Sequence, residues 1–290
     1  MTSPAVAARS PEHFSAHFSA HFPAHFPALF VAHGAPTMVL QPGPAGAALA
    51  RAAAELPRPR AIIVVSAHWE TATPTIGTAP ELETIHDFYG FPAELYRVRY
   101  PARSDAAVAE ELRTRLLENG FDVRMDKVRG LDHGAWTPLS LMYPQADIPV
   151  LPLSLQTGLG PEHHFQLGRA LAPMLADGVL LLASGNITHN LGDFRRSFAE
   201  GSGTPAYVTE FADWIGQRIA AGDHDSLLDY RQHAPHAVRA HPSEEHLLPL
   251  HVAIGAAGLD YRSECLYQGI DSVVLAMDSY AFWPTSTPGS

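Results

Sequence analysis

The run Ala61-Ile62-Ile63-Val64-Val65, continued by Ser66-Ala67-His68-Trp69-Glu70, limits what this chain can become more than any other stretch. Its five apolar residues, four of them β-branched, show no polar alternation. That is the pattern of a strand covered on both faces in a parallel sheet. Open parallel sheets hold their ligands beyond the carboxyl ends of their strands, so His68 falls where such a fold keeps its chemistry. Leu29-Phe30-Val31-Ala32 likewise runs into His33-Gly34-Ala35-Pro36, and Val179-Leu180-Leu181-Leu182-Ala183 into Ser184-Gly185-Asn186-Ile187-Thr188-His189. Three buried strands each deliver a histidine to one sheet edge. The expected fold is α/β: a single domain with a central, mostly parallel sheet flanked by helices, and a metal site at the carboxyl ends of the strands.

With 290 residues, 46% of them apolar, the chain can fill one such domain, taken here as residues 28–284. Residues 1–27 carry a His-Phe-Ser/Pro-Ala repeat with His13, His17, His21 and His25. Pro23 and Pro27 interrupt any helix that would align those rings, and a disordered low-complexity leader is expected.

Further along, Gly46 to Leu56 reads as a helix, and Ser104 as the N-cap of another reaching Asn119. The irregular stretch from Thr71 to Pro101 has the length of a binding loop and centres on Thr84-Ile85-His86-Asp87-Phe88-Tyr89-Gly90-Phe91-Pro92. Its aromatics Phe88, Tyr89 and Phe91 either stack on an aromatic ligand or pin the loop to the core, and His86 is either a polar contact or a structural residue. Gly130-Leu131-Asp132-His133-Gly134 is a turn carrying another histidine, followed by a short apolar helix. A strand over 148–155 tolerates Pro149 and Pro152 only near an edge or with an irregular start. Helices are expected over 161–176 and 206–221. Ser243 reads as the N-cap of a helix to Ala257, which puts His246 in its first turn. The last strand is expected at Val273 to Met277.

The balance of 19 Lys+Arg against 30 Asp+Glu leaves a formal charge of -11, which repels nucleic-acid phosphates and anionic membranes. The single cysteine, Cys265, rules out an internal disulfide or a thiolate zinc site. No apolar run approaches the roughly 20 residues of a membrane span, and the amino terminus lacks the pattern of a secretory signal. A cytoplasmic location is expected. There are 17 histidines. A nitrogen and oxygen donor set without cysteine suits Fe(II), Zn(II) or copper, and histidines left over from ligation titrate near neutral pH and suit acid–base work.

Taken together, the His33-Gly34-Ala35-Pro36 turn, Ser66-Ala67-His68-Trp69, the Thr84 to Pro92 loop, Gly130-Leu131-Asp132-His133-Gly134, Ser184 to Leu191 and Pro242-Ser243-Glu244-Glu245-His246 form a specific set. In these motifs, from about Ala28 to Met277, the chain resembles the class III extradiol ring-cleavage dioxygenases of the LigB type, in the branch of the 4,5-DOPA extradiol dioxygenases. The resemblance implies metal ligation by His33, His68 and His246, the last standing where broader LigB-type enzymes carry a glutamate. It implies that His189 is the acid–base residue facing substrate and that His133 assists. Fe(II) is the metal implied for activity, Zn(II) an ion that fits the same site, and a catechol and O2 the small-molecule partners. His241 rivals His246 as third ligand, and Glu244 or Glu245 would restore a two-histidine, one-carboxylate triad. Arg97, Arg99, Arg195 and Arg196 are candidates to meet the amino-acid end of DOPA. Two other readings of the same residues are a zinc hydrolase and a non-catalytic metal-binding or interaction protein of this fold. Oligomeric state and the identity of the catechol are left open.

Overall fold

The computed structural model, which describes residues 25–200 and 203–285, sets the three histidine-bearing runs side by side. In chain order the strands are β1 (Ala28–Ala32), β2 (Ala61–Glu70), β3 (Thr75–Gly77), β4 (Arg124–Asp126), β5 (Val150–Leu155), β6 (Val179–Gly185), β7 (Tyr261–Tyr267), β8 (Ile270–Asp271), β9 (Leu275–Ala276) and β10 (Ser279–Pro284). The helices are α1 (Gly43–Glu55), α2 (Ala106–Glu118), α3 (His133–Met142), α4 (Gly160–Ala176), α5 (Leu191–Glu200), α6 (Ala206–Ala221), α7 (His224–Leu228), α8 (Tyr230–His233), α9 (Ala237–Ala240) and α10 (Leu248–Ala257). Of the leader expected over residues 1–27, residues 1–24 lie outside the described residues.

Eight strands form one sheet in the order β4-β3-β5-β2-β6-β1-β10-β7. Its centre is parallel: β6 pairs with both β1 and β2, and β2 pairs with β5. Ala32 lies opposite Gly185 and Ser66 opposite Ser184, which levels the carboxyl ends of these strands. The branched runs are buried on both faces along β1, β5 and β6, as their unbroken apolar sequences require. Pairing of β2 with β5 is interrupted between Val65 and Glu70, so the stretch holding His68 leaves the regular ladder. Such irregularities re-aim side chains beside functional sites.

One local expectation is refined and three are corrected. β5, expected near an edge or with an irregular start, is third from the β4 edge and begins at Val150, after Pro149. Its Pro152 is tolerated because β3 pairs with β5 through the single Ile76–Leu153 position, and Gly77 makes room for the proline ring, a Cβ there standing 2.5 Å from Pro152 Cγ. The cap of α2 is Asp105, whose carboxylate accepts from the backbone N–H of Ala107 and Val108, whereas the Ser104 hydroxyl donates to Ala79 O. The stretch 273–277 is not one strand. Ser272 and Val273 turn at positive φ, and only Leu275–Ala276 pairs, with β8. The strand that joins the sheet is β10, running antiparallel between β1 and β7. Finally, α10 begins at Leu248, so Ser243 does not cap it and His246 precedes it in a turn.

α10 is buried along its whole length, as a helix apolar all round must be. It crosses α4 at backbone contact: a Cβ on Gly168 would stand 2.1 Å from Val252 O, and one on Gly255 2.0 Å from Phe165 O. Among the described residues no helix is long and apolar enough to cross a membrane.

Because each added methyl forces the two helices apart, Gly168→Ala and Gly255→Ala are each expected to lower stability by about 1–3 kcal/mol, read as a lower urea midpoint at unchanged slope. The double variant should lose less than the sum, since the first displacement makes room for the second methyl.

Candidate metal centre

At the end of β1, the His33 backbone N–H donates to Gly185 O at 3.1 Å, and Gly34, at φ +55°, donates to Asn186 Oδ1. The His33 ring Nδ1 lies 2.9 Å from Ser184 Oγ. That hydroxyl already gives its one proton to Gly134 O, so the ring must be the donor and His33 carries its proton on Nδ1. Its Nε2 is therefore a bare lone pair, and it lies 3.1 Å from His68 Nε2. On the far side of that ring, His68 Nδ1 is 3.8 Å from an Asp87 carboxylate oxygen.

His133 opens α3, capped by Asp132. The Asp132 carboxylate also accepts from Ser66 Oγ at 2.6 Å and from Arg129 at 2.7 Å, and Ser66 Oγ receives the His68 backbone N–H. Gly134 is required for this approach, because a Cβ there would stand 2.4 Å from Ser66 Oγ and 2.8 Å from the His68 ring. His133 Nδ1 is 2.9 Å from Asp87 Oδ1, and its ring is centred 4.0 Å from that of His68. Desolvation works to raise the Asp87 carboxyl, but hydrogen bonds from His133 prevail and hold it near 2.

His246 arrives from the other side of the sheet end. Its carbonyl oxygen accepts from Asn186 N–H at 2.9 Å, an approach that Gly185 allows because a Cβ there would stand 2.1 Å from that oxygen. Glu245 Oε1 lies 2.9 Å from His246 Nδ1, which places the proton there, and His246 Nε2 is buried without a hydrogen-bond partner. The ring centroids of His33, His68 and His246 make a nearly regular triangle with sides of 5.0, 5.4 and 4.9 Å. His189 lies flat on His246, 3.4 Å away and 10° from parallel. The loop bearing it is stitched down by Thr188 to Val274 O and by His189 N–H to Ala240 O.

Burial, reinforced by the neighbouring imidazoles, pushes His33 and His246 far below the usual histidine range. The same causes, burial first, bring His68 to about 4 and His189 to about 3. The rings are therefore neutral, the form that ligates a metal. Among the described residues, two groups are close enough to hold an ion: His33, His68 and His133, and separately His189, Glu245 and His246, with donor atoms in each group within 4.8 Å of one another. The Nδ1 atoms of His133 and His246 are committed to carboxylates, and that of His33 to Ser184. A lone pair 3.1 Å from a second imidazole nitrogen fits a divalent cation with bonds of about 2.0–2.1 Å, and the unpartnered buried Nε2 of His246, in the other group, is free to ligate as well.

The other sequence candidates belong to neither group. His241 Nε2 is spent on Ile187 O at 2.7 Å, its ring lies against Phe211, and it belongs to neither group. Glu244 accepts from Tyr230 and Arg231. His86 lies 3.2 Å from Val98 O and packs against Phe88 and Trp136. Phe88 is buried with its ring roughly perpendicular to that of His133, while Tyr89 is 93% exposed. Arg99 donates to Tyr96 O and Val98 O, and Arg196 is paired with Asp193. Sequence reasoning missed Ser184, Asp87 and the orienting role of Glu245. A glycine directly after a histidine or at a strand end, as at Gly134 and Gly185, was the available sign of close approach.

Fold and site together define an α/β protein with a histidine-rich metal site at the carboxyl edge of a mainly parallel sheet. The family described as the catalytic LigB subunit of aromatic ring-opening dioxygenase matches residues 19–282. Relatives named 4,5-DOPA dioxygenase extradiol are 39% identical in Beta vulgaris over 88% of this chain and 96% of the relative, and 40% identical in Portulaca grandiflora over 78% and 83%. One from Escherichia coli K12 is 37% identical over 79% and 84%. The crystal structure of an uncharacterized Escherichia coli K12 protein superposes with a TM-score of 0.72 at 31% identity, over 88% of this chain and 99% of that one. This chain belongs to the LigB family of aromatic ring-opening dioxygenases.

Ser184→Ala removes the acceptor that fixes the His33 tautomer. It is expected to weaken Zn(II) binding about 10–100-fold in a chelator-competition titration, the usual effect of losing such a partner.

Proposed function

We propose that the protein is a non-haem Fe(II) extradiol dioxygenase that opens the ring of a DOPA-like catechol with O2, its metal held by Nε2 of His33, His68 and His246. The observation that carries this reading is the triangle of neutral imidazoles, His33 and His246 buried and His68 partly so, with two further histidines flanking it. A structural site would not need the flanking pair. The relatives named 4,5-DOPA dioxygenase extradiol support the substrate class. Fe(II) held by these residues would supply the redox activity that ring opening with O2 requires and that Zn(II) lacks.

The protein's own groups prepare that encounter. His189, stacked on His246 and kept neutral by burial, takes a proton from a catechol hydroxyl that reaches the centre. His133, on the opposite flank beside His68, offers its Nε2 for a second proton transfer, because its Nδ1 is committed to Asp87. Phe88, packed with Phe91 and Tyr96, gives the site an apolar wall, and exposed Tyr89 stands on the same loop. The charge of -11 and the single cysteine support small-molecule partners and a cytoplasmic location.

Anaerobic loading with Fe(II), addition of DOPA, protocatechuate or simple catechols, and admission of air should give oxygen uptake matched by a yellow ring-opened product. No uptake with any catechol would refute the reading. His189→Ala is expected to keep its iron while kcat falls on the order of 10²–10⁴-fold. In His246→Ala the iron itself should be lost, as measured by metal analysis after gel filtration.

A further inference from the structure

Asp87 belongs neither to the proposed ligands nor to the acid–base pair, yet its carboxylate meets both. Oδ1 lies 2.9 Å from His133 Nδ1 and 3.0 Å from the His133 backbone N–H, while Oδ2 lies 3.8 Å from His68 Nδ1. One oxygen thus holds His133 by ring and backbone together. An ionised carboxylate can only accept, so the proton between these groups sits on Nδ1 and leaves Nε2 as the atom offered to the site. Histidine ligands and histidine bases in proteins are commonly oriented in this way by a carboxylate behind the ring.

The contact is built in from both sides of Asp87. Ile85 N–H donates to Leu131 O and Leu131 N–H to Glu83 O, both at 2.8 Å, and Trp136 Nε1 donates to Ile85 O. After Asp87, Phe88 is buried against Phe91 and Tyr96. The chain is pinned immediately before and after the carboxylate, and the loop that carries the aromatic wall also carries the group that orients His133.

We propose that Asp87 is a positioning residue for ring opening: it fixes His133 as the Nδ1–H tautomer with Nε2 facing substrate, and steadies the imidazolium formed when Nε2 takes a proton. That proton leaves a substrate hydroxyl, rests on His133, and is returned to the ring-opened product, so the residue ends each turnover as it began. The proposal rests on the reading of His133 as an acid–base group.

Nitrogen-15 NMR of the Zn(II)-loaded protein tests the tautomer without any turnover. The wild type should show His133 protonated at Nδ1 and bare at Nε2, and Asp87→Ala should show a mixture of the two neutral forms. In the Fe(II)-loaded protein, Asp87→Asn should keep full metal stoichiometry and bind catechol anaerobically within about threefold of wild type, while kcat falls on the order of 10²–10⁴-fold. Asp87→Glu should recover part of that loss. A bare Nδ1 on His133 in the wild type overturns the proposal, as does a kcat for Asp87→Asn within about threefold of wild type. Loss of metal in proportion to activity also overturns it, because Asp87 would then only support His68. Should Asp87→Ala fail to fold, the wild-type tautomer and the Asp87→Asn measurements decide. A wild type that turns over no catechol refutes the dioxygenase reading and leaves the NMR result to judge Asp87 alone.

Discussion

The last residues of β6 are the point on which the site depends. Gly185 O receives the His33 N–H, Asn186 N–H reaches His246 O, and Asn186 Oδ1 receives the Gly34 N–H. Two backbone segments far apart in sequence, at residues 33–34 and at 246, are thereby fixed to one strand end by directional bonds whose geometry tolerates little displacement. A side chain at Gly185 would occupy the place of the His246 carbonyl. The imidazoles are positioned by main chain first, and their rotamers are then set by Ser184, Asp87 and Glu245.

This order bears on the cost of the site. Burying neutral imidazoles with unsatisfied nitrogens is unfavourable, on the order of 1–3 kcal/mol for each unpaired group. The fold sustains it because the surrounding sheet is apolar and buried on both faces and because α10, entirely buried, backs β6 and β1. Much of the stability of the framework is offset locally to keep lone pairs free, as is usual where function needs groups that folding alone would not select.

The sequence made much of this legible, for a specific reason. His33, His68 and His189 follow continuous apolar runs, and strands with both faces covered can only sit in the middle of a parallel sheet, whose strand ends then coincide. His246 was read as a helix-start histidine able to ligate metal, and resemblance placed it above His241; it lies in a turn ahead of α10 and not in the helical position its neighbours suggested. β10 was missed because Ser279–Pro284 borders a proline- and serine-rich tail, and β7 because its half-exposed residues read as polar loop. Asp87 and Ser184 could not be seen as orienting groups, since their contacts join residues 46 and 151 positions apart, and no local pattern encodes such separations.

Three neutral histidines leave the full double charge of a bound divalent ion uncompensated, unlike two histidines and a carboxylate. Here the negative charge stands one residue further out. Glu245 faces His246 Nδ1 directly, and Asp87 stands behind both His68 and His133. Asp132 contributes less, being balanced by Arg129. Were these rings to hold an ion, carboxylates placed behind them would make them more basic ligands without themselves ligating. A carboxylate moved inward would bind such an ion more tightly but take up room a substrate needs, so the outward placement of Glu245 and Asp87 fits the proposed chemistry.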